Sequence, residues 1–317
     1  MEDKKRMIPT RDGFGKALVE LGKSDKSVVV LSADLTDSTR AEWFKKEFPG
    51  RFVGFGVAEQ DMFGAAAGLA LSGKVPFACT FGVFASGRAW DQIRISIAYM
   101  DLNVKIGGTH GGISVGADGA THQALEEITL MRMLPNMSII VPCDAVEAKK
   151  ATIAASKRRG PVYIRLGRNA APVVTADDTP FEIGKGIVLR EGGDVAIFAC
   201  GHMVYEALKA HDILKKEKIN ARVINLHTPK PIDRELIIKA ASETGAVVSV
   251  EEHTIYGGFG SAIAEVLIEE RPVIMKMVGI SDSFGESGEP EELYKHFGLT
   301  AEDVVAAVKE AVAAKRK

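Results

Sequence analysis

Glu59 stands where an apolar, strand-like segment gives way to a helix of small residues, in GFGVAEQDMFGAAAGLALSG (54–73). A carboxylate in a first helical turn gains about 0.3–1 kcal/mol from the helix dipole. Here Val57, Ala58, Met62, Phe63 and the alanines behind them also point to an acid held away from water. Burying an uncompensated carboxylate is costly, so such a group must be paired, hydrogen-bonded or protonated. A ligand nitrogen sharing a proton with Glu59 would meet that need.

Three other stretches carry chemistry-bearing residue types. In THGGISVGADGATHQ (109–123), the glycines permit positive φ and close backbone approach to a ligand. His110, Asp118 and His122 add groups that donate, accept or titrate near neutrality. No cysteine lies nearby and the spacing matches no common zinc pattern, which leaves a substrate-lining loop or a solvated loop. In CTFGVFASGRAWDQIR (79–94), Phe81 and Phe84 sit three apart after a strand. They either pack in the core or hold a flat heteroaromatic ring. YGGFGSAIAEVL (256–267) lacks the GxGxxG spacing of a dinucleotide loop and reads as close strand-to-helix packing. The phosphate-cradling GxxxxGK[ST] pattern is absent, which disfavours nucleotide hydrolysis.

Short β-branched runs must position these residues: 28–34, 52–57, 75–81, 103–109, 138–144 and 161–167, then 194–200, 221–226, 246–252 and 272–280. Most are apolar at successive positions, as in strands buried on both faces of a parallel sheet. Segments of helical period such as 145–159 and 204–217 lie between them. The alternation predicts an α/β protein with right-handed crossovers. NAAPVVTADDTP (169–180) breaks the pattern with prolines and paired aspartates, and divides the chain into domains at 1–176 and 177–317. Ligands of such sheets bind at the carboxyl ends of strands. Asp34, Glu59, Phe81, His110 and Arg168 each fall at or just past one.

With 317 residues, 46% of them apolar, the chain can bury a core in each of two domains. A net charge of −2 leaves no electrostatic footprint for nucleic acid or anionic membrane. The basic tail Lys315-Arg316-Lys317 reads as a solvated helix end complementing the dipole. Cys79, Cys143 and Cys200 are odd in number, far apart and set in apolar runs, so reduced, buried thiols and a cytoplasmic location are expected. MEDKKRMIPT has no apolar stretch of signal-peptide type. The nearly uncharged helix around 62–73 is far short of the roughly 20 residues a bilayer requires.

Taken together, SADLTDST (32–39), GFGVAEQDM (54–62), TFGVF (80–84), THGGISVGADGATHQ (109–123) and IRLGRN (164–169) resemble the thiamine diphosphate-dependent transketolase family, specifically its C-terminal half. The resemblance spans nearly the whole chain. It implies two domains, each a mainly parallel sheet flanked by helices: a pyrimidine-binding domain, then a transketolase C-terminal domain that serves assembly more than chemistry. Glu59 corresponds to the acid that hydrogen-bonds the cofactor's aminopyrimidine nitrogen and shares a proton there. Phe81 and Phe84 match the aminopyrimidine pocket. Asp34 and Leu35 match the segment that approaches the cofactor from a neighbouring subunit. Asp118 resembles the aspartate that contacts a sugar hydroxyl, and His122 a histidine near the reacting carbons. Arg11, Ser38, His110 and Arg168 resemble the group that binds the sugar phosphate, where an arginine fork suits a phosphate bidentately.

The resemblance also has gaps. Gly87 stands where the family often has a third pocket aromatic, and Gln60 where many members have histidine. Gly-Asp-Gly, which in the family holds the diphosphate through a divalent cation, is absent. The implied protein is therefore one subunit of a split transketolase, with no metal ligands in this chain. A separate N-terminal subunit would carry Gly-Asp-Gly and the Mg²⁺ or Ca²⁺, and thiamine diphosphate would lie between the subunits. A homodimer of this chain within a two-plus-two heterotetramer is the expected assembly, acting on sugar phosphates. The alternatives are half of a 1-deoxyxylulose-5-phosphate synthase-like enzyme, a 2-oxo acid dehydrogenase beta subunit, and a non-catalytic relative. HQALEE after the loop favours transketolase over the first, and the two-histidine loop argues against the second.

Overall fold

A strand that is apolar at every position needs cover on both faces, and the ten runs meet that need in two separate sheets. The computed structural model describes residues 6–315. Its strands are β1 (Met7–Pro9), β2 (Val28–Ser32), β3 (Phe52–Gly54), β4 (Val75–Phe81), β5 (Lys105–Thr109), β6 (Ser138–Ile140), β7 (Val162–Arg165) and β8 (Ala170–Pro172). They continue with β9 (Ile187–Arg190), β10 (Val195–Ala199), β11 (Ala221–Asn225), β12 (Ala246–Thr254) and β13 (Ile274–Ile280).

The first sheet runs β3-β2-β4-β5-β7-β6, all parallel. Alternate residues of β2 and β4 enter opposite cores. Val29, Leu31 and Ala78 meet Met62, Phe63 and Ala66 of the helix Glu59–Leu71 and Ile93 and Ile97. Val28, Val30 and Phe77 meet Phe14 and Leu18 of Thr10–Ser24 and Ala148 and Ala151 of Ala145–Lys157. The pairings Ser32 with Cys79 and Phe81 with Thr109 bring the carboxyl ends of β2, β4 and β5 level with one another.

The second sheet runs β13-β12-β10-β11-β9, parallel except for β9, which pairs antiparallel with β11. One hydrophobic cluster joins the two sheets, with Tyr163 and Ile139 from the first and Phe198 and Ile224 from the second.

All ten predicted runs contain a strand. The sequence reading misses β1, β8 and β9. The pair β1–β8 is three residues long on each side, contains a proline in each strand, and ties 170–172 back to the chain's start. Proline demotes a strand to a sheet edge, which hides such a pair from pattern reading. β9 is a half-exposed edge strand. The GGFG stretch packs as expected: a Cβ at Gly260 would come within 2.5 Å of Ser249 Oγ.

All three cysteines are buried and free. Lys315, at the end of the helix Ala301–Lys315, donates to the Thr244 and Asp194 carbonyls, while Arg316 and Lys317 lie outside the described residues. Among the described residues, no helix is long and apolar enough to cross a membrane.

Candidate active site

After β3 the chain turns through Gly56, at φ 60°, and enters its helix at Glu59. The Glu59 carboxylate is 1% exposed. It is paired with Arg88 Nη1, which lies 3.1 and 3.0 Å from its two oxygens. The first of the three options open to a buried acid is therefore the one observed. The Arg88 side chain, however, is 48% exposed, and Gly56, Val57, Gln60 and Gly87 around it are exposed as well. Arg88 also lies 4.5 Å above the Phe84 ring, a cation–π contact. It belongs to a wide π-helical turn, Phe84–Arg88. Such turns re-aim side chains, and they recur at functional sites.

The aromatic residues continue this chain of contacts. The Phe81 and Phe84 rings are 5.7 Å apart and nearly parallel, at 15°. His110 stacks on Phe81 at 3.7 Å, and His122 meets Phe84 edge-on at 5.6 Å. Residues that are distant in sequence thus converge because β4 and β5 are adjacent and in register.

His110 is 2% exposed, adopts φ 59°, and its Nδ1 lies 3.0 Å from Thr109 Oγ1. Burial first, then Arg11, Arg168, His122 and Arg40, push its pKa down to about 3. It is neutral at physiological pH and serves as a hydrogen-bonding group and not as a cation.

Those arginines form the second half of the site. Arg11 donates from Nη1 to the Ser38 carbonyl at 2.8 Å, while its Nε is buried with no partner. Arg168 donates to the Val115 carbonyl at 2.8 Å and lies 3.4 Å from Asp118 Oδ2. Asp118 and Arg168, which the sequence reading gives to different ends of a substrate, are thus an ion pair, each side chain more than a third exposed. A cavity of about 780 Å³ opens beside Arg11 and Arg168, and its walls include Ser114, His202 and Tyr294 but not Glu59. Asp34, exposed at φ 59°, and half-buried Leu35 stand on the turn after β2, outside the aromatic chain of contacts.

The residues present suit an aromatic, nitrogen-bearing ring. A buried carboxylate is held by a cation that opens to solvent, two parallel phenyl rings stand beside it, and a Cβ at Gly87 would meet nothing within 4 Å. Among the described residues, no group of three or more His, Cys, Asp or Glu could hold a metal ion.

Sequence reasoning overlooks two sets of residues. Arg88 follows Phe84 by four, a spacing that puts both on one helical face and could have flagged it. The second set braces the 109–123 loop: Gln123 at its end, reaching Glu286, and Asn169, Arg165 and Glu252 from outside it. Their contacts are long-range, with no local pattern to betray them.

A parallel six-stranded sheet with a buried acid and paired aromatics at its carboxyl edge, followed by a second mainly parallel sheet, defines an α/β architecture with its candidate site at a strand-end edge. The transketolase pyrimidine-binding domain matches residues 6–173, and the transketolase C-terminal domain matches residues 184–304. A "transketolase C-terminal section" from Methanocaldococcus jannaschii is 47% identical over 95% of each chain. An apulose-4-phosphate transketolase subunit from Phocaeicola vulgatus is 41% identical over 94% of this chain and 96% of that one. A solved structure described as a split gene transketolase, inactive beta4 tetramer, superposes with a TM-score of 0.92 at 53% identity, covering 98% of this chain and 100% of that one. The chain belongs to the transketolase family.

Proposed function

We infer that the chain is the C-terminal subunit of a split transketolase. It would move a two-carbon ketol unit from a ketose phosphate to an aldose phosphate, and be active only with a separate N-terminal subunit. The observation that carries this reading is Glu59: a buried carboxylate whose counter-ion is half in water, beside two parallel phenyl rings. The names of its relatives support the division into subunits.

Thiamine diphosphate, when bound, supplies the carbanion chemistry of ketol transfer. The chain's own part is to bind and orient. Phe84, backed by Phe81, offers the aminopyrimidine the face that Arg88 now covers, and Glu59 holds the proton that it shares with the ring nitrogen. Arg88 can leave cheaply because it is already partly solvated, but Glu59 cannot be left buried without a partner. His110, neutral, donates or accepts at the substrate, with His122 near the reacting carbons and Asp118 on a sugar hydroxyl. Arg11, with its unpartnered Nε, joins Ser38 and Arg168 at the phosphate end. Asp34 and Leu35 reach a neighbouring subunit's cofactor from their exposed turn. The N-terminal subunit contributes Gly-Asp-Gly and the Mg²⁺ or Ca²⁺.

The chain is read as two domains, 1–176 and 177–317, working in the cytoplasm; the three buried free thiols favour a reducing compartment. A homodimer within a two-plus-two heterotetramer is the assembly proposed. The deciding experiment mixes the chain with its N-terminal subunit, thiamine diphosphate, magnesium and sugar phosphates. Ketol transfer that needs both polypeptides supports the reading. Turnover by this chain alone overturns it, as does consumption of pyruvate with glyceraldehyde 3-phosphate in place of ketol transfer.

A further inference from the structure

The 109–123 loop holds itself only in part, through the 3-10 turns of Ile113–Asp118 and the bonds of the Gly119, His122 and Gln123 amides to the Gly116 and Gly119 carbonyls. His110, Gly112, Gly116 and Gly119 have φ of 59°, 88°, 84° and 73°. A segment with so little internal repetition must place its backbone groups on partners elsewhere. The Gly111 amide goes to the Leu166 carbonyl and the Gly112 amide to the Ala124 carbonyl. The Ile113 carbonyl takes Gln123 Nε2, the Ser114 carbonyl takes Asn169 Nδ2, and the Val115 carbonyl takes Arg168. These partners all lie in the first sheet's half of the chain, although Gln123 Nε2 also reaches the Glu286 carbonyl of the C-terminal half at 2.8 Å.

The Ser114 amide is different. Its acceptor is Glu252 Oε1, at 2.7 Å, on β12 of the second sheet and 138 residues away. Glu252 is 3% exposed and fixed from several sides. Its own carbonyl accepts from Arg165 Nη2 at 2.7 Å, and His202 Nδ1 stands 3.9 Å from Oε2. The loop is moulded on this carboxylate: an ideal Cβ at Gly112 would run straight into Glu252 Oε1. The contact falls midway between His110 and Asp118.

We propose that Glu252 is a positioning residue: from the C-terminal domain, its buried carboxylate holds the Ser114 amide and so sets the loop that presents His110, Asp118 and His122 to the substrate. This rests on the transketolase reading above, and it gives the C-terminal domain a part in the chemistry as well as in assembly. A charge-assisted bond to a buried amide suits this task, because it is strong and directional.

The test compares Glu252→Ala and Glu252→Gln, the latter keeping an acceptor oxygen at the same place, with the unaltered chain. Amide hydrogen exchange over residues 110–119 of the full chain is measured first, since it needs neither partner nor turnover. We expect exchange at least tenfold faster in E252A, with the central strands of both sheets unchanged, and near-complete rescue in E252Q. In the two-subunit enzyme, E252A should raise KM for the sugar phosphate and lower kcat, each several-fold, while thiamine diphosphate affinity stays constant. If E252A does not fold, Glu252→Asp, which draws the carboxylate back from the Ser114 amide by one methylene, should still speed exchange over 110–119 several-fold, and unaltered exchange in it overturns the proposal. Unaltered loop exchange together with a lowered melting temperature would make Glu252 a mere domain staple and overturn the proposal. A wild-type pair that shows no ketol transfer refutes the functional reading instead, and the exchange result still decides whether Glu252 holds the loop.

Discussion

Two regions of this molecule contain the same ingredients, carboxylates, histidines and arginines, and use them in opposite ways. At the edge of the first sheet, Glu59 is paired with an arginine that is half in water. Between the sheets, Arg165 and Glu127 form an ion pair, with His253 lying 3.7 Å from Glu127 and 3.6 Å from Glu251. Every side chain in this seam is at most 7% exposed. Glu251 caps the helix Phe259–Glu270 through the Phe259 and Gly260 amides, both at 2.7 Å. The seam's donors are largely spent inside the protein, whereas the edge keeps binding capacity facing outward. A site is therefore marked less by which titratable groups gather than by whether a partner can be exchanged.

The sharpest way to break this contrast is to delete an acid on each side. Glu59→Gln should lower ketol transfer by the two-chain enzyme by about 10²–10⁴-fold, the range expected of a proton-sharing group. Its melting temperature should stay within a few degrees, because the stranded Arg88 can turn to water. Retained activity would remove Glu59 from the chemistry. In the seam, Glu127→Leu strands Arg165 in the interior, where breaking a buried pair costs about 3–5 kcal/mol. Here stability should fall steeply, read by denaturant unfolding, and Arg165→Met added to it should recover much of the loss. If the single substitution is nearly neutral, the seam is wetter than its burial implies.

Acid titration gives a smaller and subtler comparison. His253 Nδ1 faces the Thr254 carbonyl at 2.8 Å, and Nε2 receives the Ile128 amide at 3.2 Å, so the ring is a neutral Nδ1–H tautomer. Burial pushes its pKa down to about 3, as it does for His110 at the site. A depressed histidine binds fewer protons folded than unfolded between about 3 and its ordinary value near 6.5. Stability therefore rises with pH across that window and is level above it. Glu147 and Glu251, pushed up by burial to about 7 and about 8, act in the opposite sense above their ordinary range. The histidine is thus read from the difference between wild type and variant. His253→Gln should flatten the rise by about one proton's worth of slope. An unchanged slope would mean that His253 charges freely in the fold.

How much of this was legible beforehand follows from the range of each interaction. Successive apolar residues disclosed the ten principal strands because burial on two faces leaves a local mark. Glu59, Phe81, Phe84 and the histidine loop were legible because they sit where strands end, and in-register pairing of β4 with β5 does the rest. Arg88 was half-legible, on a helical face with Phe84 but with nothing in the sequence to aim it at Glu59. The ion pair of Asp118 with Arg168 and the bond from Ser114 to Glu252 were illegible. Each joins segments 50 or more residues apart, through side-chain directions that only the packed sheets decide.

Gly87 offers the smallest change and a fine probe of the open side of the comparison. In the proposed reading, Gly87 stands where a third aromatic would complete the wall begun by Phe81 and Phe84. A Cβ at Gly87 would meet no atom within 4 Å, and the residue is exposed in the turn that also carries Arg88. Gly87→Tyr should therefore be accepted with little strain, changing stability by no more than about 0.5 kcal/mol. The sign should be favourable, because glycine loses more backbone freedom than tyrosine on entering a helical turn. If the space beside Gly87 is where the cofactor ring rests, the new phenol adds one more face and tightens thiamine diphosphate binding by the two-subunit enzyme a few-fold. By contrast Gly112→Ala, in the 109–123 loop at φ 88°, strains the backbone and drives a methyl group into Glu252, and should destabilise the loop. A tyrosine at 87 that leaves cofactor affinity unchanged would place the missing wall in the N-terminal subunit.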